Sequence, residues 1–259
     1  MFRTPVFAAF LLVAAPALAQ DEPPPEDLPL DEAQPVGATS PFEVSGELDL
    51  MSDYRFRGVS RSDEDPAVQA GLMVSHESGL YAGARGTSLQ GLDSFRLRNP
   101  ALVDQGDVQL DLYAGFRRDV GDGFEVDGGL MYYVFAGGAG ATDYVEPYAS
   151  LSYLIGPVYA TAGAKYAPSQ AATGDEDMLY LFGQVDLTVP FRPWSFSLQA
   201  GRQDWGRFGS YWTWSVGGKY HVQIGGMPST EIGLRYVDTD LPALPGQDAG
   251  LVLSVEIGF

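Results

Sequence analysis

The chain has 259 residues, 34 Asp and Glu against 15 Lys and Arg, a formal charge of -19, 32 glycines and no cysteine. Without cysteine there is no disulfide framework, thiolate zinc site or thiol chemistry. So acidic a chain also lacks the basic face with which nucleic-acid binders displace counterions, so no nucleic-acid partner is expected.

The first segment reads as an export signal. Arg3 supplies the positive start, residues 6–15 an apolar run, and Ala17, Leu18 and Ala19 a small-x-small cleavage site. That run falls short of the roughly 20 residues a spanning helix needs. This predicts a signal peptide over residues 1–19. Residues 20–41 follow with six acids (Asp21, Glu22, Glu26, Asp27, Asp31, Glu32) and six prolines (Pro23, Pro24, Pro25, Pro29, Pro35, Pro41). With almost nothing to bury, they are expected to form a solvated, disordered arm.

From Phe42 the periodicity is 2. Phe42, Val44, Gly46, Leu48, Leu50, Tyr54 and Phe56 share one face, and Glu43, Ser45, Glu47, Asp49, Asp53, Arg55 and Arg57 share the other. This predicts one strand of about 15 residues, well beyond the usual five or six of globular proteins. The alternation returns at 68–74, 80–87, 108–117, 124–134, 145–153, 158–166, 179–189, 194–203, 212–220, 231–236 and 249–259, giving twelve strands in all. The links at 77–79, 119–123, 155–157 and 190–193 are tight and that at 222–228 is modest. Those at 58–65, 89–106, 136–143, 168–176 and 239–248 are longer, and only 205–208 departs from this rhythm.

Short turns at one end, long loops at the other and an even strand count predict an all-β fold. It is a transmembrane, antiparallel, up-and-down β-barrel over residues 42–259. In a bilayer core backbone groups find no water, so every strand edge must be paired and the sheet must close. Apolar side chains then meet lipid and polar ones line the lumen; a soluble barrel of the lipocalin type would do the reverse. Lipid is favoured by the length of the apolar stripes and by two sets of aromatics. Phe42, Phe116, Phe124, Tyr153, Trp194, Tyr220 and Phe259 fall at the lower strand ends, and Tyr54, Phe56, Tyr132, Tyr166, Trp212, Trp214 and Tyr236 at the upper ones. The final Phe259 closes an alternating strand, as in the terminal-aromatic signal of outer-membrane barrels.

The run Ser52-Asp53-Tyr54-Arg55-Phe56-Arg57-Gly58-Val59-Ser60, followed by Asp63, Pro66, Ala67 and Gln69, resembles the opening signature of the TorF-type porins, a Gram-negative family of exported barrels. Asp111-Leu112-Tyr113-Ala114-Gly115-Phe116 resembles that family's second recurrent stretch, and Glu146 with Tyr148 stands where a third begins. The resemblance implies an outer-membrane location and passive transport, and it names no substrate and no catalytic residue.

With the strand faces assigned above, lumenal bases gather in the outer half at Arg55, Arg57, Arg85, Lys165 and Arg235, beside the acids Asp53, Asp111 and Glu146. Charges of one sign in a confined pore select the opposite ion, which gives a porin-like channel for small solutes with an anion preference. The same residues also read as a closed lumen in which Arg55, Arg57 and Arg85 pair with Asp53, Asp111 and Glu146, since buried charges must be paired or solvated. In that case the barrel acts structurally, in adhesion or in sensing, through its long loops.

Catalysis is not expected. His76 falls on the lipid side and His221 on the lumen side, both at the short-turn end, away from where a surface hydrolase would hold its base. The acidic runs 63–65 and 175–177 lack calcium-loop spacing, so neither a metal nor a cofactor is expected. The expected setting is the cell outer membrane, N-terminus in the periplasm, with lipid, lipopolysaccharide and small solutes as partners. The pattern sets no oligomeric state.

Overall fold

A computed structural model of the chain describes residues 40–89, 106–138, 140–222 and 229–259. The expected signal peptide lies outside the described residues, as does the expected arm apart from Ser40 and Pro41.

The chain runs through β1 (Phe42–Met51), two short strands β2 (Arg55–Phe56) and β3 (Val59–Ser60), and β4 (Ala67–His76). It continues through β5 (Leu80–Ser88), β6 (Gly106–Gly121), β7 (Phe124–Gly137), β8 (Tyr144–Ile155), β9 (Val158–Ala167) and β10 (Met178–Thr188). The last strands are β11 (Trp194–Asp204), β12 (Ser210–Val222), β13 (Ser229–Thr239) and β14 (Gly250–Gly258). Sequential antiparallel neighbours from β4 to β14, with β1 paired to both, make a closed barrel of twelve strands; β2 and β3 pair only with each other. No helix among the described residues is long and apolar enough to cross a membrane.

Closure is made at β1. Leu48 stands opposite Ala70 of β4 on one side and opposite Ile257 of β14 on the other. The seam runs one residue past β14: Gly46 N donates to Phe259 O at 2.7 Å and Phe259 N donates to Gly46 O at 3.0 Å. The terminal ring lies over Gly46, where an added Cβ would come within 2.5 Å of its Cζ. Phe259 is thus part of the closing joint.

The faces sort as the alternation predicts. Leu72, Leu181, Leu198, Val216, Leu234 and Leu253 are exposed on the outside, while Glu47, Arg85, Asp111, Glu146, Lys165 and Gln199 are buried within. This arrangement is unfavourable in water and favourable in a bilayer, where the exterior meets acyl chains. The outer aromatics form two bands. Phe42, Phe116, Phe124, Trp194, Tyr220 and Phe259 lie at the short-turn end, and Tyr132, Tyr166, Trp212, Trp214 and Tyr236 at the long-loop end. One short turn has the residues its geometry demands: Asp122 and Gly123 both take positive φ (53° and 81°) between the paired Gly121 and Phe124, the two-residue turn suited to sheet twist.

The first strand departs from expectation. β1 ends at Met51, and the chain then leaves the wall and folds into the lumen as the β2–β3 hairpin. Tyr54 is 1% exposed, so it does not belong to the outer aromatic band, and Phe56 is partly buried beside it. At the hairpin tip Arg57 and Gly58 take φ of 49° and 94° between the paired Phe56 and Val59. A two-residue turn of this kind usually carries Asn-Gly or Asp-Gly. An arginine there is a strained choice, and its side chain explains it.

Inside the wall, tyrosines lie flat over glycines. Tyr81 and Tyr148 approach from β5 and β8, and their hydroxyls meet across Gly115 of β6 and Gly129 of β7. A Cβ on Gly115 would stand 2.5 Å from Tyr81 Oη and 2.7 Å from Tyr148 Oη. Gly115→Val is therefore expected to push both rings off the wall and to cost about 1–3 kcal/mol. Urea unfolding of the detergent-folded barrel measures it, with Ala114→Val on the outer face as the neutral control.

Candidate functional site

The lumen is built around the in-folded hairpin. Its base is fixed by Asp53, which accepts from Ser60 Oγ at 2.7 Å and Ser62 Oγ at 3.1 Å and pairs with Arg55. Tyr54 N donates to Ser62 Oγ at 2.7 Å, and Arg55 Nη1 reaches the Asp248 carbonyl at 2.7 Å. The loop between β13 and β14 folds over this base: Ser60 N donates to Gly246 O at 2.7 Å and Gly246 N to Glu64 Oε1 at 2.9 Å.

The tip crosses to the far wall. Arg57 Nη2 donates to both Glu146 oxygens, at 2.6 and 2.5 Å, and Nη1 to Gln203 Oε1 at 2.7 Å. Tyr211 Oη donates to the Arg57 carbonyl at 2.9 Å, and Tyr133 Oη to Glu146 Oε2 at 3.0 Å. The guanidinium carbon sits 4.6 Å from the Tyr180 ring centre and 4.8 Å from that of Phe56. Burial is the largest single influence and acts to strip the Arg57 proton, but the charge and hydrogen bonds of Glu146 together with Tyr133 and Tyr144 outweigh it, and the group is held above its ordinary range as a cation. Arg61 extends the lock, lying 3.9 Å from the Phe56 ring centre and donating to Gln109 Oε1 at 2.8 Å.

The other expected lumenal charges lie below or beside this plug. Arg85 of β5 donates to Glu47 Oε1 of β1 at 2.7 Å, across the intervening β4. That span is free because β4 carries Gly71 there, where a Cβ would meet Glu47 Oε1 at 2.7 Å. Asp111 of β6 stands opposite Arg85 in register and accepts from Gln109 at 2.6 Å. Lys165 of β9 is buried on the wall beside Tyr148, its Nζ 6.0 Å from that ring centre. Arg235 belongs to β13. The structure therefore joins Arg55 with Asp53 and Arg57 with Glu146, and sets Arg85 between Glu47, to which it bonds, and Asp111, opposite it in register.

Toward the short-turn end the lumen opens into a recess bounded by residues of β6 to β11. On the opposite wall Lys219 bridges Glu231 at 2.6 Å and Glu256 at 2.5 Å. His221 lies 3.0 Å from Ser195 Oγ and 2.8 Å from Glu231 Oε1, a Ser-His-Glu chain that the sequence order did not reveal. Ser195 sits inside a strand paired on both sides, so the neighbouring N–H groups serve the ladder and are not aimed at an oxyanion. The trio reads as a rim contact joining β11, β12 and β13.

Residues 35–248 match the profile of a family described as a bacterial protein of unknown function, Gcw_chp. No curated protein matches the chain in sequence. Among solved structures the chain is similar to the KdgM porin, with a TM-score of 0.53 at 10% identity over 83% of this chain and 99% of that one. It is also similar to the NanC porin, with a TM-score of 0.51 at 15% identity over 82% and 97%. A KdgM porin structure in complex with disordered oligogalacturonate gives 0.53 at 8% identity over 83% and 98%. These likenesses show the fold, a closed barrel of the porin kind.

Proposed function

The chain belongs to the Gcw_chp family of bacterial proteins of unknown function, and we propose that its barrel is an outer-membrane channel for passive diffusion of small solutes, of the TorF type that its first strand and loop resemble. The observation that carries this reading is the inversion of the barrel: leucines and valines outside, charges and amides inside, with a recess left open in the lumen. After signal cleavage the acidic arm would lie in the periplasm with the short turns, and the long loops would face lipopolysaccharide. Nothing in this reading calls for catalysis.

The β2–β3 hairpin makes the long-loop end the constriction, and the resting channel is shut there. Six bases (Arg55, Arg57, Arg61, Arg85, Lys165, Arg235) and six acids (Glu47, Asp49, Asp53, Glu64, Asp111, Glu146) lie in and around it. When the tip leaves Glu146, mobile bases face the passage and favour anions. The second reading, a permanently closed barrel acting through its loops, is supported by the pairing of Arg55, Arg57 and Arg85 with acids.

Planar-bilayer recording separates the two. A channel gives brief openings in the folded chain with chloride favoured over potassium, and Arg55→Ala with Arg57→Ala lengthens the openings and lowers that preference several-fold. A barrel silent in both forms belongs to the second reading, and unchanged selectivity removes the anion preference.

A further inference from the structure

The recess beneath the hairpin has a lining that a plain aqueous passage does not need. Tyr148, Tyr159 and Phe182 supply aromatic surface, and Gln184, Gln199 and Ser152 supply amides and a hydroxyl. Phe182 lies flat against the wall because β9 offers Gly163 beneath it, where a Cβ would fall 2.6 Å from the Phe182 Cζ. Its ring runs nearly parallel to that of Tyr180, at 15° and 5.8 Å between centres.

Two polar atoms in this lining are unsatisfied. Gln199 is 3% exposed, and its Oε1 has no hydrogen-bond partner. Arg117 donates from Nη2 to Asp127 at 3.1 Å, but its Nε makes no hydrogen bond, the nearest carboxylate being Glu125 at 3.7 Å. A buried acceptor and a buried donor left unmet each carry a cost that a ligand can remove. An anion meets only the donor and a cation only the acceptor, whereas a hydroxyl meets both. The lining also carries charges of both signs, Arg117 and Lys165 with Glu125 and Asp127. Aromatic faces with amides and hydroxyls suit the C–H faces and hydroxyl rim of a sugar ring.

We propose that the recess is a binding subsite for a neutral saccharide, one ring against the aromatic wall and its hydroxyls on Gln199 and Arg117. The inference rests on the channel reading for how the sugar arrives, and its binding is measured without conduction.

Isothermal titration calorimetry on the full folded chain, in a detergent without a sugar headgroup, tests it with maltotriose as the probe and potassium sulfate as comparator. The expected result is saturable maltotriose binding, weakened at least tenfold by Gln199→Leu and abolished by Ser150→Trp, which fills the recess from β8, with no saturable heat from sulfate. Absence of maltotriose binding overturns the proposal, as does equal affinity in wild type and both variants, or sulfate binding in place of the sugar. Failure of the channel reading would show separately, as silence in bilayer recordings.

Discussion

Glu146→Ala is expected to release the hairpin from the lumen. The mutation leaves a guanidinium buried among Tyr180, Phe56 and Gln203 without its carboxylate, and breaking a buried pair from one side costs about 3–5 kcal/mol. The hairpin can escape that cost by carrying Arg57 into water, since only the tip depends on Glu146. The base keeps its own bonds among Asp53, Ser60 and Ser62. Arg57→Ala removes the charge itself, and it leaves Glu146 with Tyr133 Oη as its remaining donor in the pair's hydrogen-bond set. In a double-mutant cycle read by urea unfolding, the double variant should be little worse than either single one, a coupling of about 3 kcal/mol. Single-channel open fraction should rise in all three. Additive losses with unchanged open fraction would mean that the pair does not hold the gate.

The second large effect concerns the outer wall. Leu198 sits mid-strand on β11, exposed, with Val185 and Val216 as its cross-strand neighbours. An arginine there would stand near the bilayer midplane at a cost of about 2–4 kcal/mol. Its neighbour Ser197 points the other way, between Asp186 and the side-chain-free Gly217. Ser197→Arg has room and an acid to meet, and it should stay within about 0.5 kcal/mol of wild type. Reversible folding into lipid vesicles measures the difference, and equal penalties at 197 and 198 would contradict the assignment of faces.

The barrel was legible because a membrane strand repeats one simple constraint along its whole length, apolar out and polar in, and each turn interrupts it. Leu181 and Gln184, or Leu198 and Gln199, declare their sides without any knowledge of neighbours. The hairpin was not legible for the same reason. Alternation continues through Tyr54, Arg55, Phe56 and Arg57 whether the chain follows the wall or bends inward. The Arg57-Gly58 turn also lacks the Asn or Asp that usually marks such a bend. What keeps Arg57 at positive φ is its bond to Glu146, 89 positions away, and no local pattern records that.

Pairing followed the same limit. Asp53 and Arg55 are two residues apart and were readable as partners, but Arg85 meets Glu47 only because β4 lies between β1 and β5 and its Gly71 leaves the gap. The His221 contacts also became visible only once β11, β12 and β13 were set side by side.

The placement of the apolar stripe against acyl chains is tested most directly by tryptophan quenching in vesicles whose lipids carry bromine at defined depths. Trp194 lies on the outer face at the short-turn end and Trp212 and Trp214 at the long-loop end, while Trp205 is tied to a loop through its bond to Thr173 O. With single-tryptophan variants, bromine near the headgroup boundary should quench Trp194, Trp212 and Trp214 strongly and leave Trp205 bright. Equal brightness at all four positions, with the protein staying in the aqueous fraction, would contradict it.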